Sequence, residues 1–326
     1  MKRRLCLAAL SGTLGALAQQ PGPLVRKKGP TVFLDYDQAE LDAAYDQRVY
    51  APNSGVIQQR YATNSELVRA RLGAPLRVPY GPSEIQQLDI YPTGRPNAPI
   101  LVYIHGGAWR GGRSQDHAFA AELFVAAGTH FVVPDFVPVQ DAGGSLVVMA
   151  QQVRRAIAWV HGNAATFGGD SGRLYLAGHS SGAHLASVAL ITDWPAEFHL
   201  PNDPIKGAIL VSGMYDLKGP RLSYRSSYVK FDDATEEALS PQRHIDRLHM
   251  PLIVAHGTLE TPEFQRQSRE FAAALKAAGR PVQVIRGENY NHFELIETLA
   301  NPYGLLGRAA LALVVPRRAT ESAEHK

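Results

Sequence analysis

Short, almost continuous apolar runs recur along the chain and alternate with stretches of helical periodicity. The six clearest runs are 100–104, 131–133, 174–177, 208–211, 252–255 and 282–285. Runs of this kind are typical of parallel strands that are buried on both faces. Between the runs, apolar residues recur every three or four positions in 146–160, as on one face of a helix, and Phe264, Ser268, Phe271 and Leu275 have the same spacing.

Strands that alternate with helices predict an α/β fold with a mostly parallel, doubly wound sheet of about eight strands. Ligands of such a sheet bind beyond the carboxyl ends of its strands. We therefore expect functional residues to follow directly after the apolar runs. The 326 residues, 45% of them hydrophobic, are enough for one large core.

The flanking regions differ from this alternation. Residues 19–72 comprise a linker and, from residue 29, a polar helical pattern that predicts an N-terminal helical arm. The runs 76–80 and 87–91 are bounded by Gly and Pro and predict a strand pair at an edge of the sheet. We assign 73–315 to a single domain and 316–326 to a disordered tail.

The first 18 residues have the pattern of a secretory signal peptide. A basic stretch at 2–4 is followed by an apolar run at 5–14 and by the cleavage pattern Ala16-Leu17-Ala18. A membrane anchor is the alternative, but a bilayer span needs about 20 apolar residues. The pair Arg3-Arg4 leaves open whether the signal is general-secretory or twin-arginine. We predict a periplasmic or secreted protein.

Removal of this signal would change the composition. Cys6 is the only cysteine, so the mature protein would have no disulfide and no cysteine-based metal site. The formal net charge of +3 would fall to zero with the loss of Lys2, Arg3 and Arg4. A neutral protein has no electrostatic reason to bind nucleic acid or an anionic membrane. We therefore predict no nucleic-acid binding and no stable membrane insertion.

The strongest motif is Gly178-His179-Ser180-Ser181-Gly182, which directly follows the run 174–177 and precedes a helical pattern. A serine in such a strand-turn-helix context indicates a nucleophile elbow, in which glycines allow a sharp turn that exposes the hydroxyl. An ordinary glycine turn with an N-capping serine is the alternative. We predict that Ser180 is a nucleophile.

A second motif, His105-Gly106-Gly107-Ala108-Trp109, directly follows the run 100–104. A His-Gly-Gly loop in this place is typical of an oxyanion hole made of backbone N–H groups. We predict that Gly106, Gly107 and the N–H of Ser181 form that hole, that His105 is structural, and that Trp109 lines the substrate pocket.

A serine nucleophile requires a base and a residue that orients the base, in the chain order serine, acid, histidine. His292 lies in the loop after the last apolar run and is the predicted base. Glu260 follows the run 252–255 and is the predicted acid. Glu263 and Asp216 remain as alternatives, Glu263 as a helix N-terminal charge and Asp216 as an acid that follows the run 208–211.

Together with Glu260-Thr261-Pro262-Glu263-Phe264 and Asn291-His292-Phe293, these motifs resemble the arylformamidase (kynurenine formamidase) branch of the esterase and lipase superfamily, which has the α/β-hydrolase fold. The resemblance extends over roughly 36–304 and implies that 73–315 is a catalytic domain. It also implies that Glu260 is the triad acid, at a position where family members often have aspartate.

These residues lead us to expect a serine hydrolase that cleaves small aryl esters and, secondarily, aryl formamides through an acyl-enzyme. The expected partner is a small-molecule ester or amide substrate, and the chemistry needs no cofactor and no metal. The segment 217–244, where this fold often places a cap, is short and carries Tyr224, Tyr228 and Phe231, which predicts a small pocket that accepts aromatic groups.

Three other interpretations remain open. One is a true arylformamidase acting on N-formylkynurenine. Another is a peptidase of the prolyl-oligopeptidase type, for which the chain lacks the length of a propeller domain. The third is a non-catalytic binding protein with the same fold. The sequence assigns no oligomeric state.

We predict cleavage after Ala18, so that the mature protein starts at Gln19. The intact mass of the protein recovered from its native host should equal that of residues 19–326. A mass that includes Met1 would contradict the prediction.

Overall fold

A computed structural model of the chain describes residues 26–315. The predicted signal peptide at 1–18 and the predicted tail at 316–326 lie outside the described residues. Within 26–315, no helix is both long enough and apolar enough to span a bilayer.

The described strands are two to eleven residues long. They are β1 Thr31–Phe33, β2 Tyr36–Asp37, β3 Leu76–Pro79, β4 Gln87–Tyr91, β5 Ala98–Ile104, β6 His130–Pro134, β7 Gly169–His179, β8 Ile205–Val211, β9 Leu252–Gly257 and β10 Val282–Gly287. Of these, β4, β5, β6, β8 and β9 are almost entirely buried.

The described α-helices lie before, between and after these strands. They are α1 Gln38–Ala44, α2 Ser54–Leu72, α3 Ala121–Ala126, α4 Leu146–Asn163, α5 Ser181–Leu190, α6 Trp194–Phe198, α7 Lys218–Leu222, α8 Asp233–Ala238, α9 Pro262–Ala277, α10 His292–Glu297 and α11 Leu305–Val314.

Eight strands form one sheet in the order β10-β9-β8-β7-β5-β6-β4-β3. The strands from β10 to β6 are parallel to one another, and at the other edge β4 is antiparallel to both β6 and β3. The predicted α/β class, the mostly parallel sheet and the edge strand pair are therefore confirmed. Since β5, β7, β8, β9 and β10 are parallel, their carboxyl ends meet at one edge, where the predicted site residues follow.

The sheet separates two hydrophobic cores because successive side chains of a strand point to opposite faces. Along β5, Val102 and Ile104 belong to one core, to which α4, α5 and α9 contribute. Leu101 and Tyr103 belong to the other, which receives side chains from α2, α3, α10 and α11. Helices thus cover both faces, as a doubly wound sheet requires.

Two details differ from the sequence-based expectation. The run 282–285 was expected to be buried on both faces, but β10 is an edge strand, and its Gln283, Val284 and Arg286 are exposed. The arm was expected to be helical from residue 29, but it begins with the antiparallel hairpin β1–β2 before α1 and α2. A two-residue strand such as β2 is too short to show a period in the sequence.

A buried ionic cluster joins the antiparallel edge to the chain that follows β5. Asp89 of β4 and Asp135, just after β6, are buried, and Arg77 of β3 contacts their carboxylates at 2.6 and 2.7 Å. The Ser114 hydroxyl oxygen lies within hydrogen-bond distance of both acids, at 2.7 and 3.0 Å, and has one proton to donate between them. Because two buried carboxylates repel each other, their burial depends on this arginine and this serine.

Replacing Arg77 by Met should lower the free energy of unfolding by about 2 to 4 kcal/mol, since it leaves two buried carboxylates without a counter-ion. Arg71→Met is the matched control: Arg71 pairs with Glu122 at the surface, and its loss should cost no more than about 1 kcal/mol. Urea unfolding of both variants measures the difference. Equal effects of the two substitutions would contradict the assigned role of the cluster.

Candidate active site

Ser180 lies between β7 and α5, at the tip of a sharp turn. Its backbone has φ 58° and ψ −125°, a conformation that non-glycine residues rarely adopt. A Cβ atom at Gly178 would lie 2.5 Å from the Gly182 carbonyl oxygen, and one at Gly182 would lie 2.1 Å from that of Ile104. Only glycine fits at either position, so the two glycines permit the turn that holds Ser180, as in a nucleophile elbow.

His292 and Glu260 form a buried hydrogen-bonded pair. The distance from His292 Nδ1 to Glu260 Oε2 is 3.0 Å, and the two side chains are 3% and 0% exposed. Because an ionised carboxylate only accepts hydrogen bonds, Nδ1 carries the proton and Nε2 keeps its lone pair. This is the tautomer that a general base requires.

The two alternative acids have other partners. Asp216 pairs with Arg243 at 3.4 Å and is about one-third exposed. Glu263 is buried but pairs with Arg266 at 2.8 Å. Among residues 26–315, neither carboxylate is within hydrogen-bond distance of the His292 ring. The geometry therefore brings Glu260, and not its competitors, to the histidine.

Glu260 has further donors that the sequence analysis missed. The Ser212 hydroxyl and the Gly257 N–H each donate to Oε1 at 2.6 Å, and Gln47 Nε2 lies 3.4 Å from Oε2. Ser212 directly follows β8, so the rule that functional residues follow strand ends could have found it. Gln47 comes from the arm, 213 positions before Glu260, and no sequence signal connects the two.

The loop that carries His292 is held by hydrogen bonds to the arm. Asn291 caps α10, and its side chain and that of Glu294 form a reciprocal capping box. Asn53, which directly precedes α2, donates to Glu294 at 2.9 Å and accepts from Asn291 at 3.0 Å. The arm therefore contributes to the position of the histidine.

The two glycines after β5 border the same cavity as Ser180 and His292. A Cβ atom at Gly106 would lie 2.8 Å from the His179 carbonyl oxygen. Gly107 has φ 131°, and a Cβ atom there would lie 2.2 Å from the Gly111 carbonyl oxygen. Backbone crowding thus requires glycine at both positions. Ser181 is the first residue of α5, where backbone N–H groups have no acceptor within the helix.

Three nearby histidines are buried and structural. His105 stacks on Phe136 at 4.4 Å between ring centroids, and its Nδ1 donates to the Gly106 carbonyl at 2.9 Å. Burial lowers the pKa of His105 to about 3, with a further lowering by His117. Burial also lowers the pKa of His179 well below its usual value, and that of His184 to about 4. All three rings are therefore neutral near pH 7.

Trp109 does not line the cavity, contrary to the sequence-based expectation. Its side chain is 1% exposed and donates from Nε1 to His184 Nδ1 at 3.2 Å. His184 Nε2 in turn donates to the Leu239 carbonyl at 2.8 Å. The indole is therefore packed behind the predicted oxyanion loop, where it connects that loop to α5 and to the chain after α8.

The cavity has a volume of about 760 Å³, which is larger than the small pocket expected and typical of sites for drug-sized molecules. Of the three aromatic residues of the cap, Tyr224 and Tyr228 line it, whereas Phe231 packs 6.4 Å from the Trp109 ring. Tyr45 and Phe264 add aromatic surface from the arm and from α9. No three metal-ligating side chains come together within 26–315.

Comparison with known proteins assigns the family. The BD-FAE family model matches residues 88–209, from β4 into β8. The kynurenine formamidase of Danio rerio is 32% identical over 288 residues, which cover 84% of this chain and 96% of that protein. The chain belongs to the kynurenine formamidase family.

Esterases are also similar to this member of the kynurenine formamidase family. Esterase LipQ of Mycobacterium tuberculosis is 31% identical over 227 residues, 62% of this chain and 52% of that protein. The thermophilic carboxylesterase EstE1, cloned from a metagenomic library, has a TM-score of 0.62 at 19% identity and covers 80% of this chain and 95% of its own. That likeness confirms the α/β-hydrolase fold, and the relatives together make this protein a hydrolase.

Replacing Glu260 by Gln should lower kcat by about two to four orders of magnitude, because an amide cannot stabilise the imidazolium as it forms. Substrate binding should change little. Asp216→Asn is the matched control and should leave kcat within about threefold. Steady-state kinetics on an aryl acetate measures kcat for both variants. A larger loss in Asp216→Asn than in Glu260→Gln would show that Glu260 is not the acid.

Proposed function

We propose that the protein is a serine hydrolase that cleaves esters and formamides of small acyl groups with aryl leaving groups, through a Ser180-His292-Glu260 triad. The observation that carries the proposal is the buried 3.0 Å contact between His292 Nδ1 and Glu260, in a cavity that Ser180 also lines. This contact leaves Nε2 of His292 free to accept a proton on the side away from the acid.

The proposed reaction has two halves. His292 Nε2 takes the Ser180 proton while Oγ bonds to the carbonyl carbon, and the carbonyl electrons move to its oxygen. The intermediate then collapses, the bond to the leaving group breaks, and His292 returns the proton to the departing phenol or arylamine. Water repeats the sequence on the acyl-enzyme and releases the carboxylic acid.

Backbone donors and a buried carboxylate supply the electrostatic stabilisation of this scheme. The N–H groups of Gly106, Gly107 and Ser181 are the proposed donors to the oxyanion, each typically worth about 3 to 4 kcal/mol in a transition state. Glu260 stabilises the imidazolium that forms at His292, and its other donors keep the carboxylate aligned.

The nature of the scissile bond is a further part of the proposal. A phenol is a better leaving group than an arylamine, so one triad should cleave an activated aryl ester more readily than the matching formamide. The cap is short, which favours small acyl groups over long chains. The name of the Danio rerio relative favours formamides as substrates of this chain as well.

Replacing Ser180 by Ala should abolish turnover of p-nitrophenyl acetate, with a loss of at least about four orders of magnitude in kcat. The melting temperature should remain close to that of the wild type, because the turn depends on the glycines rather than on the hydroxyl. A fluorophosphonate should label the wild type at Ser180 only. Activity of Ser180→Ala within tenfold of the wild type would rule out Ser180 as the nucleophile.

The substrate prediction concerns kcat/KM for p-nitrophenyl acetate, p-nitrophenyl decanoate and N-formylkynurenine on one preparation. We expect the acetate to exceed the decanoate, because the short cap offers little surface to a long acyl chain, and we expect measurable cleavage of N-formylkynurenine. Preference for the decanoate would indicate a lipase-like pocket. A value for N-formylkynurenine far above both esters would make the formamide the principal substrate.

A further inference from the structure

A buried arginine on the cavity wall has no acidic partner among residues 26–315. Arg225 is 3% exposed and lines the cavity that contains Ser180 and His292. Several other arginines with at least half of the side chain buried have a carboxylate within 4 Å. They include Arg77, Arg154, Arg243 and Arg266. A buried cation without a counter-ion is costly, so its presence in a ligand cavity calls for an explanation.

The hydrogen bonds of Arg225 use only part of its donor capacity. Nη2 donates to the Tyr45 carbonyl and Nη1 to the Tyr228 hydroxyl, both at 2.9 Å, whereas Nε has no partner within 26–315. A guanidinium has five N–H donors, so others remain available. The nearby Asp46 forms its ion pair with Arg48, at 2.8 Å, and acts on Arg225 only from beyond ion-pair distance.

The surroundings of Arg225 are aromatic. Its Cζ lies 5.3 Å from the Trp109 ring centroid, 5.8 Å from that of Tyr224 and 5.9 Å from that of Tyr45. These rings offset part of the desolvation cost through cation–π attraction, but they hydrogen-bond none of the free N–H groups. Trp109 belongs to the oxyanion loop, so the guanidinium lies next to the proposed catalytic machinery.

A second arginine is close to the first. Arg110 lines the same cavity and stacks over the Tyr228 ring at 4.8 Å, the same tyrosine whose hydroxyl accepts from Arg225. Arg110 takes part in none of the ion pairs of the described part of the chain. The charged residues on the cavity wall are Arg48, Arg110 and Arg225 together with Asp46 and Asp116, so the wall has a net positive charge.

We propose that Arg225, assisted by Arg110, binds a carboxylate on the leaving-group side of the substrate. This inference rests on the proposed function, in which the acyl group is small, so that an anion must belong to the aryl part. A guanidinium presents paired N–H donors that match the two oxygens of a carboxylate, and a low-dielectric cavity strengthens the contact. The preferred substrates are then anionic aryl esters and formamides.

The test compares two isosteric substrates: 4-acetoxyphenylacetate, which is an anion, and 4-acetoxyphenylacetamide, which is neutral. The measured quantity is the ratio of their kcat/KM values, each corrected for hydroxide-catalysed hydrolysis. A charge-assisted contact predicts a wild-type ratio of about ten or more, expressed mainly in KM. In Arg225→Gln the ratio should fall toward one, and in Arg110→Gln it should fall in part.

Arg221→Gln is the matched control, since Arg221 lies in the same cap segment but pairs with Asp233 and Glu236. Its ratio should equal that of the wild type. If Arg225 only holds the cap to the arm, Arg225→Gln will lower both kcat/KM values equally, and the proposal is overturned. If that variant does not fold, the exposed Arg110→Gln decides in its place, and an unchanged ratio there overturns the proposal.

Fluorophosphonate labelling of Ser180 in each preparation separates this inference from the proposed function. Absence of labelling and of ester hydrolysis in the wild type would contradict the triad. Labelling and hydrolysis with a wild-type ratio at or below one would contradict the carboxylate site alone.

Discussion

A carboxylate that is withdrawn from water must be hydrogen-bonded on both oxygens, and this requirement at Glu260 organises the site. Its contacts come from four separate parts of the chain: Ser212 after β8, Gly257 at the end of β9, His292 after β10 and Gln47 in the arm. The parallel sheet brings the first three to one edge, and the arm closes the fourth side. A hydrogen-bonded and buried acid in turn fixes the tautomer of the histidine that we propose as the base.

Most of the sheet could be predicted because each buried strand leaves an apolar run whose position does not depend on distant residues. Ser180, Glu260 and His292 follow such runs, and the parallel topology alone places residues after strand ends together. The sharp turn at Ser180 could also be predicted from the sequence, because close backbone approach at Gly178 and Gly182 leaves no alternative to glycine. The edge strand β10 was assigned too much burial because its exposure depends on which strands flank it, which is a property of the whole sheet.

What could not be predicted depends on contacts between residues that are far apart in the sequence. Gln47 reaches the acid from the arm, and Asn53 holds the histidine loop, without any motif to mark either. For Trp109 the sequence indicated a contact that the structure does not have. Its place after the predicted oxyanion glycines suggested a substrate contact, but its indole N–H donates to His184 inside the protein. A motif predicts where the backbone goes more reliably than where a side chain points.

The central claim is that Ser180 carries the acyl group between the two halves of the reaction, and trapping that intermediate tests it most directly. The protein would be mixed with excess p-nitrophenyl acetate, quenched in acid during turnover and digested for peptide mass spectrometry. We predict one acetyl group, located on Ser180, and none on the same peptide of Ser180→Ala. Turnover without acetylation of Ser180, or acetylation at another residue, would contradict the account.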